Sequence, residues 1–271
     1  NGLSGKPPIC TPGVDPGGDG SSRLDANDVD VVLGRSTLSD TSQGAEIGVQ
    51  TVKLGTSFDG DYQGNGVHRF DVAYLVLSSP VSLTPIKIAG TDEGALWDAG
   101  SAEEVSGWGS TDEFGSPVDM LRAASVDAIP DSICTVDYGI NFDPDTMVCA
   151  GFQGGGVDTC FGDSGGPLQA PLQGGGYRLV GITGWGKGCA EAGFPGVYTR
   201  VAGPTMRSLI SSDLSSLGVS PATVFGSGGQ PRVSSSTLGS RASHSATRRK
   251  KCKRIHNRKK RKRCRKKARS A

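Results

Sequence analysis

Between residues 29 and 201 the apolar positions come in short bursts separated by glycine-rich spacers. The bursts are VDVVLGR (29–35), EIGVQTVKLG (46–55), FDVAYLVLSSPV (70–81), AEEVSGWG (102–109), YRLVGITGWG (177–186) and GVYTRV (196–201). Each has the length of a strand, carries valine, isoleucine or tyrosine, and is bounded by turn residues. One segment breaks this rhythm. In TMRSLISSDLSSLG (205–218), Met206, Leu209, Ile210, Leu214 and Leu217 recur at helical spacing and Gly218 supplies a stop. Many short strands followed by one helix predict an all-β fold, a barrel or sandwich with a C-terminal helix.

Composition agrees with that pattern, since 42 glycines and 15 prolines in 271 residues, with 35% hydrophobic content, suit many tight turns. No apolar run approaches the roughly 18 residues of a spanning helix, so no membrane span is expected. The chain begins at Asn1 without a charged segment followed by an apolar one, which predicts that an upstream piece is missing. The net charge of +2 hides two unlike parts. Residues 241–271 hold 17 of the 29 Lys and Arg and no acid, leaving 12 basic against 27 acidic residues, a net −15, for the rest. Residues 219–247 are rich in Ser, Gly and Thr, a linker composition. The resulting division is an irregular segment 1–27, a folded domain 28–218, a linker 219–247 and a basic tail 248–271. The tail has too little apolar content to fold alone and should be disordered, with polyanions as its partners. It holds no aromatic residue for stacking nucleic-acid bases.

Seven cysteines narrow the setting. Cys134 and Cys149, and Cys160 and Cys189, are spaced to close short loops, each worth about 3 to 4 kcal/mol in the chain-entropy account. Bonded in this way they place the protein in an oxidising, extracellular compartment, as a secreted protein. The bland alternative is four separate buried thiols. Cys10 has no evident partner, and Cys252 and Cys264 lie in the basic tail.

The chemistry concentrates in DTCFGDSGGPL, Asp158 to Leu168, where Ser164 stands between glycines. A serine hydroxyl needs a neighbouring base, most often histidine, to take its proton as attack begins. Gly162-Asp163-Ser164-Gly165-Gly166 also fits the G-x-S-x-G elbow of the α/β-hydrolases. That elbow requires a helix directly after the serine, and Gly165-Gly166-Pro167 opens one poorly.

With FDVAYLVL, the GWG at 107–109, DTCFGDSGGPL and GITGWGKGCAEAGFPGVYTRV in this order, the chain resembles the trypsin-like serine proteases of the chymotrypsin family, of the secreted bacterial type. The likeness covers roughly Asp28 to Leu217. It implies a two-barrel chymotrypsin-like fold and a serine endopeptidase that cleaves after Lys or Arg through an acyl-enzyme, with no cofactor and no metal. Carried over residue by residue, it makes Ser164 the nucleophile and Asp71 the carboxylate that orients and stabilises the base. Backbone N–H groups of Gly162 and Ser164 would form the oxyanion hole. Asp158 would sit at the base of the primary pocket and pair with the substrate's Lys or Arg, while Gly186 and Gly196 keep the pocket walls open. Surface readings remain for two of these: a strand-starting acid for Asp71 and a solvated loop acid for Asp158.

The chain departs from the family in its first third. The resemblance calls for Ala-Ala-His-Cys before the strand that VDVVLGR resembles, and NGLSGKPPICTPGVDPGGDGSSRLDAN stands there instead. His68 lies three residues before Asp71, which in an extended strand places the two side chains on opposite faces. His244 and His256 belong to the linker and tail. The family's activated N-terminus, which inserts beside the aspartate matching Asp163, has no counterpart in Asn1-Gly2. An incomplete N-terminal barrel is therefore expected, together with a chain that is a fragment of a protease; the alternative is a catalytically inactive homologue acting as a binding protein, with a polyanion-binding tail.

Overall fold

The computed structural model describes residues 25–58 and 69–232. The chain divides into two units, Asn1–Pro231 and Arg232–Ala271. The basic tail, Cys10, Cys252, Cys264 and all three histidines lie outside the described residues.

Three strands open the fold: β1 (Asp30–Leu33), β2 (Ala45–Leu54) and β3 (Ala73–Leu77), joined antiparallel in the order β1-β2-β3. The register places Val31 opposite Ile47 and Val52 opposite Leu75, and it shifts between Val49 and Thr51. That bulge keeps Val31, Ile47, Val49, Val52 and Leu75 on one face, because an extra residue restores the parity that alternation would otherwise lose.

The second sheet holds β4 (Lys87–Ile88), β5 (Ala102–Gly107), β6 (Arg122–Ile129), β7 (Met147–Gly151), β8 (Pro167–Pro171), β9 (Tyr177–Trp185) and β10 (Gly196–Thr199). Its order is β10-β7-β6-β5-β8-β9-β4, and β10 also pairs with β9. That last pairing closes β5 to β10 into a six-stranded barrel, which removes the open edges a flat sheet would expose. Alternate residues fill its interior: Val105, Val126, Val148, Leu168, Val180 and Tyr198 are all buried. Disulfides Cys134–Cys149 and Cys160–Cys189 close loops with sequence separations of 15 and 29. The all-β chymotrypsin-like architecture is thus present, with the first half open among the described residues.

Among the described residues three α-helices accompany the strands: α1 (Asp131–Tyr138), α2 (Pro204–Ser216) and α3 (Pro221–Val224). The C-terminal helix read from the apolar spacing is α2. Its Met206 and Ile210 are buried with Val72, Ile88 and Val201. On the same helix the carboxylate of Asp213 accepts from the N–H of Thr56 at 3.2 Å and from its Oγ1, and Lys53 Nζ stands 3.5 Å away. These bonds fasten the helix to the end of β2. Helix α1 was not legible in DSICTVDY, where β-branched and short polar residues have weak helix propensity. Its Cys134 is fully buried and bonded to β7, so tertiary anchoring outweighs propensity.

The linker expected from residue 219 is, up to Pro231, part of the folded body. Gly226 N–H donates to Ile88 O at 2.7 Å, Gly228 N–H to Asp92 at 2.8 Å, and Gln173 N–H to Gln230 O at 2.9 Å. Pro231 makes a bridge with Leu172. Glycine here serves close approach and not flexibility. A side chain at Gly226 would run into the guanidinium of Arg178, and one at Gly229 into the carboxylate of Glu93. Among the described residues no helix is long and apolar enough to cross a membrane.

Candidate active site

The Ser164 loop hangs between β7 and β8 and is pinned to β9. Gly165 N–H donates to Thr183 O and Thr183 N–H to Gly166 O, both at 2.9 Å. Within the loop Asp163 N–H bonds Cys160 O at 3.0 Å, and Gly166 N–H bonds Asp163 O at 2.8 Å. Ser164 is exposed at the tip, while Leu168, at the foot of β8, is fully buried. The N–H groups of Gly162 and Ser164 donate to no acceptor among the described residues. The N–H groups of Asp163, Gly165 and Gly166 beside them are all bonded to backbone carbonyls.

Gly162 has φ of +98°, a conformation L residues rarely adopt, and a Cβ there would lie 3.2 Å from Gly109 Cα and 3.3 Å from Pro117 Cγ. Gly162→Ala is expected to cost about 1 to 3 kcal/mol through strain and to reorient the N–H at 162. Calorimetry checks this, with Gly175→Ala as comparison, because Gly175 has φ of +91° but meets nothing within 4 Å. Equal losses at the two sites would show that the crowding around Gly162 plays no part.

Asp163 is turned away from solvent onto the GWG segment. Its carboxylate accepts from Gly109 N–H at 2.8 Å and from Cys160 N–H at 3.0 Å, and side chains at Gly107 or Gly109 would collide with it. It pairs with no cation among the described residues.

Asp71 follows Phe70, whose φ of +56° turns the chain sharply before β3 begins. Arg69 is held to Asp143 at 2.9 Å, and Thr199 Oγ1 donates to Asp71 O at 2.8 Å. A Cβ built on Gly184 would stand 4.0 Å from Asp71 Oδ2. Successive residues of β9 therefore serve both groups: Thr183 anchors the serine loop and Gly184 lies against Asp71. The structure brings these two residues into one neighbourhood; His68 lies outside the described residues.

Asp158 is half-buried and takes N–H bonds from Thr159 at 2.8 Å and Ala190 at 3.3 Å. Burial pushes its carboxyl up to about 6, with those two N–H groups pulling the other way. A side chain at Gly196 would run into Asp158 Oδ1, and one at Gly186 would come within 4.0 Å of Gly196 Cα, so the three positions are contiguous. Asp158 and Asp163 both line a cavity of about 250 Å³, with the Cys160–Cys189 disulfide and Ala190 in its wall. Among the described residues no group of His, Cys, Asp or Glu is placed to hold a metal ion.

Sequence reasoning left Thr183, Gly184, Thr199 and Ala190 unassigned, although all four lie within quoted motifs. Strand-length patterning carries no sign of them, because Thr183 and Ala190 act through backbone groups, Gly184 through its lack of bulk, and Thr199 through a hydroxyl that meets a backbone carbonyl. Tyr198 was also missed. It is fully buried, with its hydroxyl 3.3 Å from Thr159 Oγ1.

The sequence model of the family described as Trypsin matches residues 20–209. Over 174 residues the chain is 40% identical to the trypsin of Saccharopolyspora erythraea, covering 64% of this chain and 71% of that one. It is 38% identical over 178 residues to trypsin-1 of Astacus astacus, covering 64% and 70%. To trypsin 5G1 of Aedes aegypti it is 44% identical over 139 residues, covering 49% of each.

Proposed function

We propose, because this chain belongs to the trypsin family of serine endopeptidases, that its cleft takes the Lys or Arg side chain preceding the cleaved bond and that Ser164 is its nucleophile. The observation that carries the specificity is Asp158, a half-buried carboxylate that accepts N–H bonds from Thr159 and Ala190 and pairs with no cation among the described residues. Burial raises the cost of its charge, and a cation entering beside it offsets that cost. Gly186 and Gly196, contiguous with it, leave room for a long side chain.

In the reaction Ser164 Oγ bonds to the scissile carbonyl carbon and its proton passes to a histidine that Asp71 orients. The negative oxygen is met by the N–H groups of Gly162 and Ser164. Collapse breaks the C–N bond and returns the proton to the leaving amine; water then attacks the acyl-enzyme and frees Ser164. The two disulfides suit a secreted protein, and the excess charge of residues 241–271 suits attraction to polyanions.

The sequence before Asp71 carries no Ala-Ala-His-Cys segment, in which the family places its base. The 271-residue chain is therefore expected to hydrolyse Lys or Arg esters no faster than its Ser164→Ala variant, while joining it to a histidine-bearing segment of a trypsin relative yields cleavage after Lys and Arg. Turnover in the unaltered chain that disappears in Ser164→Ala would assign the base to one of its own histidines. Joined chains that cleave without preference for Lys or Arg would remove Asp158 from the pocket.

A further inference from the structure

Glu103 sits on β5 at an inward position, sharing its side of the strand with Val105 and paired in register with Val126 of β6. It is 1% exposed, and neither carboxylate oxygen has a hydrogen-bond partner among the described residues. An ionised carboxylate in that position would forgo hydration with nothing to replace it, so the neutral acid is the form that fits the core. No role in the protease chemistry above calls for it.

The surroundings are few and can be named. Asp127 lies on β6, and burial raises its own carboxyl. Tyr198 belongs to β10, and burial raises its hydroxyl. Arg200 follows β10, but it is already engaged, with Nε donating to Met147 O at 2.7 Å and Nη2 to Asp131 of α1. Strand β8, PLQAP, has no titratable residue, and the one cysteine of β7, MVCAG, is in a disulfide. Burial pushes Glu103 from 4.5 up to about 8, Arg200 opposing and Asp127 adding to the rise.

We propose that Glu103 is a proton-held core carboxyl, loaded at neutral and acid pH and unloaded in alkali, and that unloading loosens the six-stranded barrel that carries the Ser164 loop. The direction follows from proton counting. Between the ordinary carboxyl range and about 8 the folded chain holds a proton that the unfolded chain has released, so stability falls as pH rises through that window. Tyr198 links the site to the pocket, because the same ring that packs in the barrel core places its hydroxyl beside Thr159, next to Asp158. The device makes the protein firmest in mildly acid surroundings and progressively looser toward pH 9.

The test compares thermal unfolding of the full chain with Glu103→Gln and Glu103→Leu from pH 5 to pH 9. Asp127 and Asp158 contribute slopes of the same sign in all three proteins, so the difference between them isolates Glu103. Both variants are expected to lose a large part of the downward slope and to unfold at higher temperature than the native chain at pH 9. The proposal is overturned if the three curves run parallel. It is also overturned if neither variant folds, since a neutral side chain should then be tolerated where a neutral acid already sits. Hydrogen exchange at pH 6 and pH 9, read as protection relative to the intrinsic rate at each pH, locates the effect: protection lost only in β5, β6, β8 and β10 of the native chain supports it, and equal loss across α2 and β1 to β3 overturns it.

Discussion

Arg178→Met is expected to lower the unfolding midpoint by on the order of 10 °C. Glu93 is fully buried, and Arg178 Nε meets both of its oxygens, at 3.0 and 3.1 Å. Gly90 N–H adds a bond at 2.8 Å and Gly229 N–H another. Removing the guanidinium strands a carboxylate in the interior, at a cost of about 3 to 5 kcal/mol. For a chain of this size each kcal/mol shifts the midpoint by about 2 to 4 °C. Residues 226–231 should loosen with it, because Gly226 packs directly on Arg178 and Gly229 bonds Glu93. Calorimetry on the single variant and on Glu93→Leu/Arg178→Met separates the two contributions. The double variant should recover much of the loss, since no charge remains buried. A single variant within 1 °C of the native chain would show that the pair does not hold the C-terminal segment.

A second prediction concerns the pocket and needs no catalysis. Binding of benzamidine, a flat cation that imitates the arginine head group, is expected to weaken about 100-fold or more in Asp158→Ser, as when one partner of a buried charge pair is lost. Affinity in the native chain should fall as pH drops through about 6, because protonating Asp158 removes the charge that the cation requires. The Ser variant should bind weakly at every pH between 5 and 8. Isothermal titration calorimetry reads both effects. Undiminished binding in the variant, or affinity in the native chain independent of pH, would place the cation elsewhere.

Some of this was readable from residue order alone. Short apolar segments bounded by turn residues located β1, β2, β3, β5, β9 and β10, and helical spacing located α2, because turn chemistry and short-range periodicity are local properties of the chain. The motif around Ser164 needs its own glycines in specific conformations, such as Gly162 at φ of +98° and Gly165 at +82°, so the loop is encoded within eleven residues. The cysteine spacings anticipated both disulfides for a similar reason, since each closes a short loop. Asp158 was tied to the serine only by the resemblance, which matches it to the carboxylate of the family's primary pocket.

Other features depend on what the folded chain brings close. Glycine in FGSGGQ reads as slack in the sequence, yet Gly226 and Gly229 are required for the backbone to pass over Arg178 and Glu93, whose own pairing spans 85 residues. Glu103 has the same strand parity as Val105, but parity alone does not say which face a barrel will close upon. Closure by the β10–β9 pairing sets the inward side, and with it the burial of a carboxyl. Asp71 and the Ser164 loop both lie against β9, at Gly184 and at Thr183. Six of the ten described strands, the turn chemistry of the Ser164 loop and the cysteine pairs are legible in residue order, because they rest on local conformational preference and short loops. Where the charged groups lose water is legible only in the folded chain, because desolvation is set by neighbours distant in sequence.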